Sequence, residues 1–355
     1  ISGDGTILND TTGNFVWSHD NAGTGTDSLA IATGSTFQND GTFSFTDLGN
    51  RQFTGDGQFT NNGTFINGIT NNSGDNITWN GAGQFVNNGV LRFDDNGDFQ
   101  LEGGVGFTNA SAGIIQVSSS DSDPAQFFSF TNTTGSATFD NQGTVRVLSG
   151  YFRVSADGTN GTQFEDMTLV QDGGSGELSG GTWIADSTAT GTARIDLDNF
   201  GTTSGITTIG PSAVVELTGS GATFDQLSSL ATVHGGLYVN GTQDFTPPGF
   251  LNVGSTGTIG GDGSFASTTT VSGSVLPGTT RGDDIGILGF GANLSFNPVS
   301  SVTLGIMAPT GTVNGSLDSM AMATAILGLG DLDPTTSMHD ALNINGTVTL
   351  NSTMS

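Results

Sequence analysis

Phe37-Gln38-Asn39-Asp40-Gly41-Thr42-Phe43 is one copy of the phrase that decides the fold: Phe, any residue, Asn, any residue, Gly, any residue, then an apolar side chain. It returns as Phe59-Thr60-Asn61-Asn62-Gly63-Thr64-Phe65 and as Phe85-Val86-Asn87-Asn88-Gly89-Val90-Leu91. A stretched copy runs from Phe107-Thr108-Asn109 to Gly113-Ile114-Ile115, and a further clear copy is Phe139-Asp140-Asn141-Gln142-Gly143-Thr144-Val145. Successive Phe residues lie 22, 26, 22 and 32 positions apart. Self-similarity at such a period is the signature of a solenoid, in which each repeat is one coil.

The residue types give the phrase its physical meaning. Phe and the closing apolar residue need a dry interior. Asn and Gly suit a turn, because both tolerate left-handed backbone angles. Each phrase therefore reads as strand end, corner, strand start. Stacking predicts two columns: a core column of Phe37, Phe59, Phe85, Phe107 and Phe139, and an amide column of Asn39, Asn61, Asn87, Asn109 and Asn141. Like residues one coil apart would sit about 4.8 Å from each other, close enough for amides to bond and rings to stack. A run of β-hairpins with Asn-Gly turns is the competing architecture. The single-file repeat favours a single parallel β-helix, all-β, with coils of about 22–26 residues.

Gly-x-Gly sequences precede several copies, at Gly55-Asp56-Gly57, Gly81-Ala82-Gly83 and Gly261-Asp262-Gly263. No helical pattern follows any of them, which argues against a phosphate-binding loop. Gly3-Asp4-Gly5-Thr6-Ile7 begins the sequence in the same way, and Ile7, Asn9, Gly13 and Phe15 match the stretched spacing. The first coil is thus expected within the opening residues.

The chain has 355 residues, room for roughly 14–16 coils and a rod of roughly 70 Å. Its 58 Gly show no three-residue period, which excludes collagen, and its 24 Phe can build a core. There is no Lys; the six basic residues are all Arg, and of 33 acids only Glu102, Glu165, Glu177 and Glu216 are Glu. Scarcity of Lys and Glu argues against helix, while Asp belongs in turns. A net charge of −27 argues against nucleic acid and anionic membranes as partners. Cys is absent, so disulfides and thiolate metal sites are excluded. No apolar run reaches membrane-spanning length. The sequence starts at Ile1 rather than Met, and is read as a mature form whose export signal has been removed.

From Tyr151 the phrase blurs into short apolar runs between Gly-rich corners. The expected division is a repeat solenoid over 1–267 and a solenoid end of different character over 268–355, continuous with the first. That end carries Gly273-Ser274-Val275-Leu276-Pro277-Gly278, then Ile285-Gly286-Ile287-Leu288, then Asp340-Ala341-Leu342-Asn343-Ile344-Asn345-Gly346-Thr347-Val348-Thr349-Leu350. Over about residues 268–350 this order resembles the end of β-helical passenger domains of bacterial autotransporter-type and related secreted surface proteins, including haemagglutinin-like and adhesin-like repeat proteins. Val275 fits that pattern loosely. The resemblance implies a right-handed β-helix that is secreted, extracellular or at the cell surface, and it carries over no catalytic residue. Residues 317–332 break the strand pattern and are expected as a short helix or an apolar loop.

Candidate chemistry is sparse. Asp94, Asn96 and Asp98 place oxygen ligands at alternate positions, as calcium loops do, but without a bidentate Glu; a solvated turn is the plainer reading. His19, His234 and His339 suggest no zinc site. Asp196 and Asp198 lie two apart on an apparent strand, the spacing a polysaccharide hydrolase or lyase would need on one face, yet a chain so acidic repels anionic substrates, and no enzymatic activity is expected. The function expected instead is structural. Solenoid ends expose unpaired strand edges, and joining such edges gives an open-ended filament or layer. Ile1, Ile7, Met320, Met322, Ile344 and Val348 are the candidate subunit contacts, with the chain itself as partner. A monomeric adhesin that binds a glycan or other cell-surface component, through loops such as Ser118–Gln126, is the alternative.

Overall fold

The computed structural model describes residues 5–17, 26–45, 51–67, 77–94, 97–102, 104–118, 128–131, 137–155, 168–172, 176–187, 191–198, 205–278, 286–298, 300–308, 311–317, 341–345 and 347–350. Nearly every element is a short β-strand; the helical element among the described residues is a 3-10 turn over Asp225–Ser229. The chain divides into two compact units. One comprises Ile1–Gly173, Gly181–Thr203 and Thr223–Asp225, and the other Gly174–Gly180, Ser204–Ala222 and Gln226–Ser355.

The first unit is a parallel β-solenoid with three strand faces per coil. On the first face the strands Thr6–Asn9, Thr36–Asn39, Gln58–Asn61, Gln84–Asn87, Gly106–Asn109, Thr138–Asn141 and Thr168–Leu169 pair in that order, all parallel. Register is in phase with the phrase: Ile7, Phe37, Phe59, Phe85, Phe107 and Phe139 stand opposite one another, then Leu169. The second face continues from each corner, with Phe15, Phe43, Phe65, Leu91, Ile115, Val145 and Trp183 in one column. The third face holds Phe53, Trp79 and Leu101 in one column and Ile77 and Phe99 in the next.

Alternation along each strand sends these side chains inward, where they are buried from Phe37 onward. Rings within a column lie flat on one another. Successive centroids from Phe37 to Phe139 are 5.1, 4.9, 5.1 and 5.3 Å apart, with planes inclined by 17° or less. Between columns the contact is edge to face, as at Phe37–Phe43 (85°) and Phe59–Phe65 (84°). Ring quadrupoles favour both geometries, and strand spacing sets the first.

The corner glycines correct one part of the sequence reading. Gly41, Gly63, Gly89, Gly113 and Gly143 do not have positive φ. Each is needed because a Cβ there would overlap a main-chain carbonyl oxygen of the preceding coil, for example that of Gly41 beneath Gly63. Left-handed backbone belongs to the Gly-x-Gly phrase instead, at Gly55 (φ 96°) and Gly81 (φ 150°), where glycine alone is unstrained.

The second unit repeats the three-faced plan without the phrase. Val215, Leu237, Ile259, Val275 and Val302 follow one another on one face. Val233, Val253, Val271, Phe296 and Leu350 do so on another. Phe245, Phe265, Phe290 and Ile344 do so on the third. Corner insertions absorb the variation in coil length. Ser301–Ala308 and Gly311–Leu317 depart from the plan by pairing antiparallel. The expected helix or loop over 317–332 lies outside the described residues, apart from Leu317 at the end of that strand.

Candidate assembly surface

The first coil presents an open edge. Among the described residues, Thr6–Asn9 pairs only with Thr36–Asn39, and Asn14–Trp17 only with Thr42–Phe45, so their other sides carry no strand. Ile7 and Phe15 occupy the columns that are buried in every coil from Phe37 to Phe139, yet here Ile7, Leu8, Phe15 and Val16 are 36–55% exposed. Phe15 stacks on Phe43 at 4.9 Å and shows its opposite side to solvent. Beside it, Phe15, Val16, Trp17, Asp27, Ser28 and Leu29 line a cavity of about 380 Å³.

A polar column meets the same edge. Asn9 Nδ2 donates to Asn39 Oδ1 at 2.7 Å, and the relation repeats from Asn39 to Asn61, Asn61 to Asn87, Asn87 to Asn109 and Asn109 to Asn141 at 2.7–2.8 Å. The second Nδ2 proton of each donates to a main-chain oxygen just past the next corner, from Thr42 to Thr144, at 2.9–3.2 Å. The main-chain oxygens of Asn9, Asn39, Asn61 and Asn109 each accept two N–H groups of the following corner, as Asn39 does from Asn62 and Gly63 at 2.7 and 2.9 Å, while at the stretched corner that of Asn87 accepts from Ala110 at 2.9 Å. Asn39 to Asn141 are buried, so an apolar replacement would strand these groups without water. All donors point toward higher residue numbers. The column ends at Asn141, whose buried Nδ2 has no partner among the described residues: at the next position Gln171 turns its Oε1 to the main-chain N–H of Asn141 and its Nε2 to Asp140. At the other end Asn9 Oδ1 accepts from none of the described donors.

A second amide column runs outside this one in the reverse direction. Asn88 Nδ2 donates to Asn62 Oδ1 at 2.8 Å, Asn62 Nδ2 donates to Asp40 Oδ1 at 2.7 Å, and the Asp40 carboxylate also accepts from Gln38.

The remaining candidates are spread over the molecule. Ile344 pairs beside Phe290, and Val348 beside Leu294, both in the second unit and both half-buried. Ile1, Met320 and Met322 lie outside the described residues, as do Asn96 and most of Ser118–Gln126. Asp94 is tied to Arg92 across its own strand end, and Asp98 lies on the strand Gly97–Glu102. No group of three metal-capable side chains occurs among the described residues.

Asp196 is engaged in a network that the sequence did not announce. The Tyr151 hydroxyl donates to its carboxylate, and Arg153 Nε lies 3.7 Å away. Arg194 covers the Tyr151 ring at 4.4 Å and is paired with Asp225. Burial, then the bond to the Asp196 carboxylate, push the Tyr151 phenol above its ordinary value. The parallel register sets Tyr151 beside Arg194 and Arg153 beside Asp196. These contacts run over three successive coils, from Tyr151 and Arg153 through Arg194 and Asp196 to Asp225, which is the work of a staple between them. No helix among the described residues is long and apolar enough to cross a membrane. Comparison of the chain with protein-family models, with curated proteins and with solved structures finds no match.

Proposed function

We propose that this chain is a non-enzymatic structural protein of the extracellular space or cell surface, a subunit of a filament or layer whose solenoids join through strand edges. The observation that carries the reading is the first coil: two strand edges that no other described strand pairs, Ile7 and Phe15 partly exposed at the head of buried columns, and an Asn9 Oδ1 that accepts from none of the described donors. A strand laid along Thr6–Asn9 would extend the sheet by main-chain bonds and cover Ile7 and Phe15. The resemblance of residues 268–350 to secreted β-helical passenger domains and the acidic composition support the location.

Electron microscopy of the purified chain tests the reading. Fibres with a uniform axial repeat are expected, with Ile7→Lys and Phe15→Lys abolishing them while the β-sheet circular dichroism persists. Single particles under all conditions, with and without millimolar calcium, overturn it. A monomeric adhesin is the second reading, favoured by Phe250, which is 75% exposed beyond Pro247-Pro248-Gly249 and offers a bare ring to a glycan. Binding of immobilised glycans lost in Phe250→Ala would select that reading.

A further inference from the structure

The outer amide column sits on Asn-Gly sequences. Asn62 precedes Gly63, and Asn88 precedes Gly89. Asn-Gly is a reactive pair in an open chain, because nothing hinders the glycine nitrogen from reaching the asparagine side chain. That nitrogen attacks Cγ, a new N–Cγ bond closes a five-membered succinimide, and Nδ2 leaves as ammonia with the glycine proton. Water then opens the ring at either carbonyl, giving aspartate or isoaspartate.

The folded corner blocks each requirement of that step. The Gly63 N–H donates to Asn39 O at 2.9 Å, and the Gly89 N–H donates to Asn61 O at the same distance, so neither nitrogen is free to deprotonate and swing toward Cγ. The main-chain N–H groups of Asn62 and Asn88 are held on those same oxygens at 2.7 Å. Asn62 is further fixed on both sides of its amide, by Asp40 at Nδ2 and by Asn88 at Oδ1. Asn88 is fixed at Nδ2. Both residues are nonetheless in contact with water, so access of the hydrolysing molecule is not what limits the reaction.

We propose that Asn62 and Asn88 are modification sites governed by the fold: they deamidate only when their corner opens, and they record that opening covalently. The change does not reverse on refolding. Isoaspartate inserts an extra carbon into the main chain between residue 62 and Gly63, so the paired N–H groups can no longer both reach Asn39 O. The aspartate product sets a second carboxylate against Asp40 where a donor stood. The order of protection follows the number of ties, with Asn62 better protected than Asn88.

Peptide mapping by mass spectrometry of the whole chain, incubated at pH 8 folded and in concentrated urea, tests this. In urea both peptides are expected to gain one mass unit and an isoaspartate form. In the folded chain the rate at both sites is expected to fall by at least about a hundredfold, the scale on which closed core structure suppresses local opening. Asp40→Ala removes the acceptor of Asn62 and is expected to raise the folded-state rate at Asn62 more than at Asn88. Equal rates folded and unfolded, with circular dichroism confirming the fold, overturn the proposal. A folded-state rate at Asn62 that matches or exceeds that at Asn88 overturns the assigned order.

Discussion

Asn87 shows most directly what a single residue does in this fold. Its Oδ1 accepts a hydrogen bond from Asn61, and its Nδ2 donates one to Asn109 and one to the main-chain oxygen of Ile114. Asn87→Ala therefore strands two buried groups, Asn61 Nδ2 and Asn109 Oδ1, and frees the part-buried carbonyl of Ile114. A loss of about 2 kcal/mol or more in urea unfolding is expected, since each buried group left without a partner costs about 1–3 kcal/mol. Asn88→Ala, one position along but facing water, is expected to cost well under half of that. Gly63→Ala is expected to be at least as damaging as the Asn87 change, because the colliding atom is a main-chain oxygen that cannot move without shifting the coil below. Tyr151 gives a pH-dependent prediction. Its folded phenol titrates above the ordinary value near 10. Its contribution to stability is thus full below pH 10 and is lost as the pH rises through the folded value. In Tyr238→Phe, which leaves Tyr151 as the sole tyrosine, the phenolate absorbance of the native chain should develop at higher pH than that of the unfolded chain. Adding Asp196→Asn should lower that midpoint by removing the carboxylate that opposes ionisation.

At the scale of the element, the strand and corner were legible wherever the sequence repeated itself. The recurring order of Phe, Asn and Gly names the inward column, the amide column and the corner, and Phe37 to Phe139 stand as that order requires, the stretched copy at Phe107 included. What the phrase left ambiguous was why glycine was needed, because a close carbonyl and a positive φ leave the same letter in a sequence. In the second unit, columns such as Val215, Leu237 and Ile259 are built from ordinary apolar residues, so only the strands and not their register could be read. The Tyr151–Asp196 bond joins residues 45 positions apart and depended on a register that the sequence did not mark. The antiparallel pair Ser301–Leu317 went unread because antiparallel and parallel strands share one alternation. Of the exposed side chains of the first coil, Ile7 and Phe15 had a legible place in the phrase; that they are exposed where their counterparts are buried, and that Leu8 and Val16 join them, needed the structure. The aromatic columns supply an element-level prediction. Phe85→Ala removes a ring stacked on both Phe59 and Phe107, and a loss of about 3–5 kcal/mol is expected in chemical denaturation. Phe85→Leu should recover most of it, as Leu91 and Leu101 already serve in neighbouring columns.

For the whole molecule, the charge of −27 works against close association of copies, and the proposed junction has to overcome it. Assembly is therefore expected to rise with ionic strength: raising salt from about 10 mM to 150 mM shortens the screening length from about 30 to 8 Å. Light scattering across that range should show longer particles at higher salt, whereas contacts made chiefly by ion pairs would weaken. With six Arg against 33 acids, ion pairs such as Arg146–Asp186 tie a strand to its neighbour within a unit and leave most of the acidic surface uncompensated.

The inner amide column has a sense of direction, and that carries over to anything built by extending it. Among the described residues Asn9 Oδ1 has no donor, so in the proposed filament an arriving subunit would have to bring a hydrogen to it, and two copies could not meet there oxygen to oxygen. Joining on that proposal would be one-way. A fibre grown on this rule has two chemically unlike tips, elongates from them at different speeds, and can be stopped at one tip by a cap that leaves the other growing.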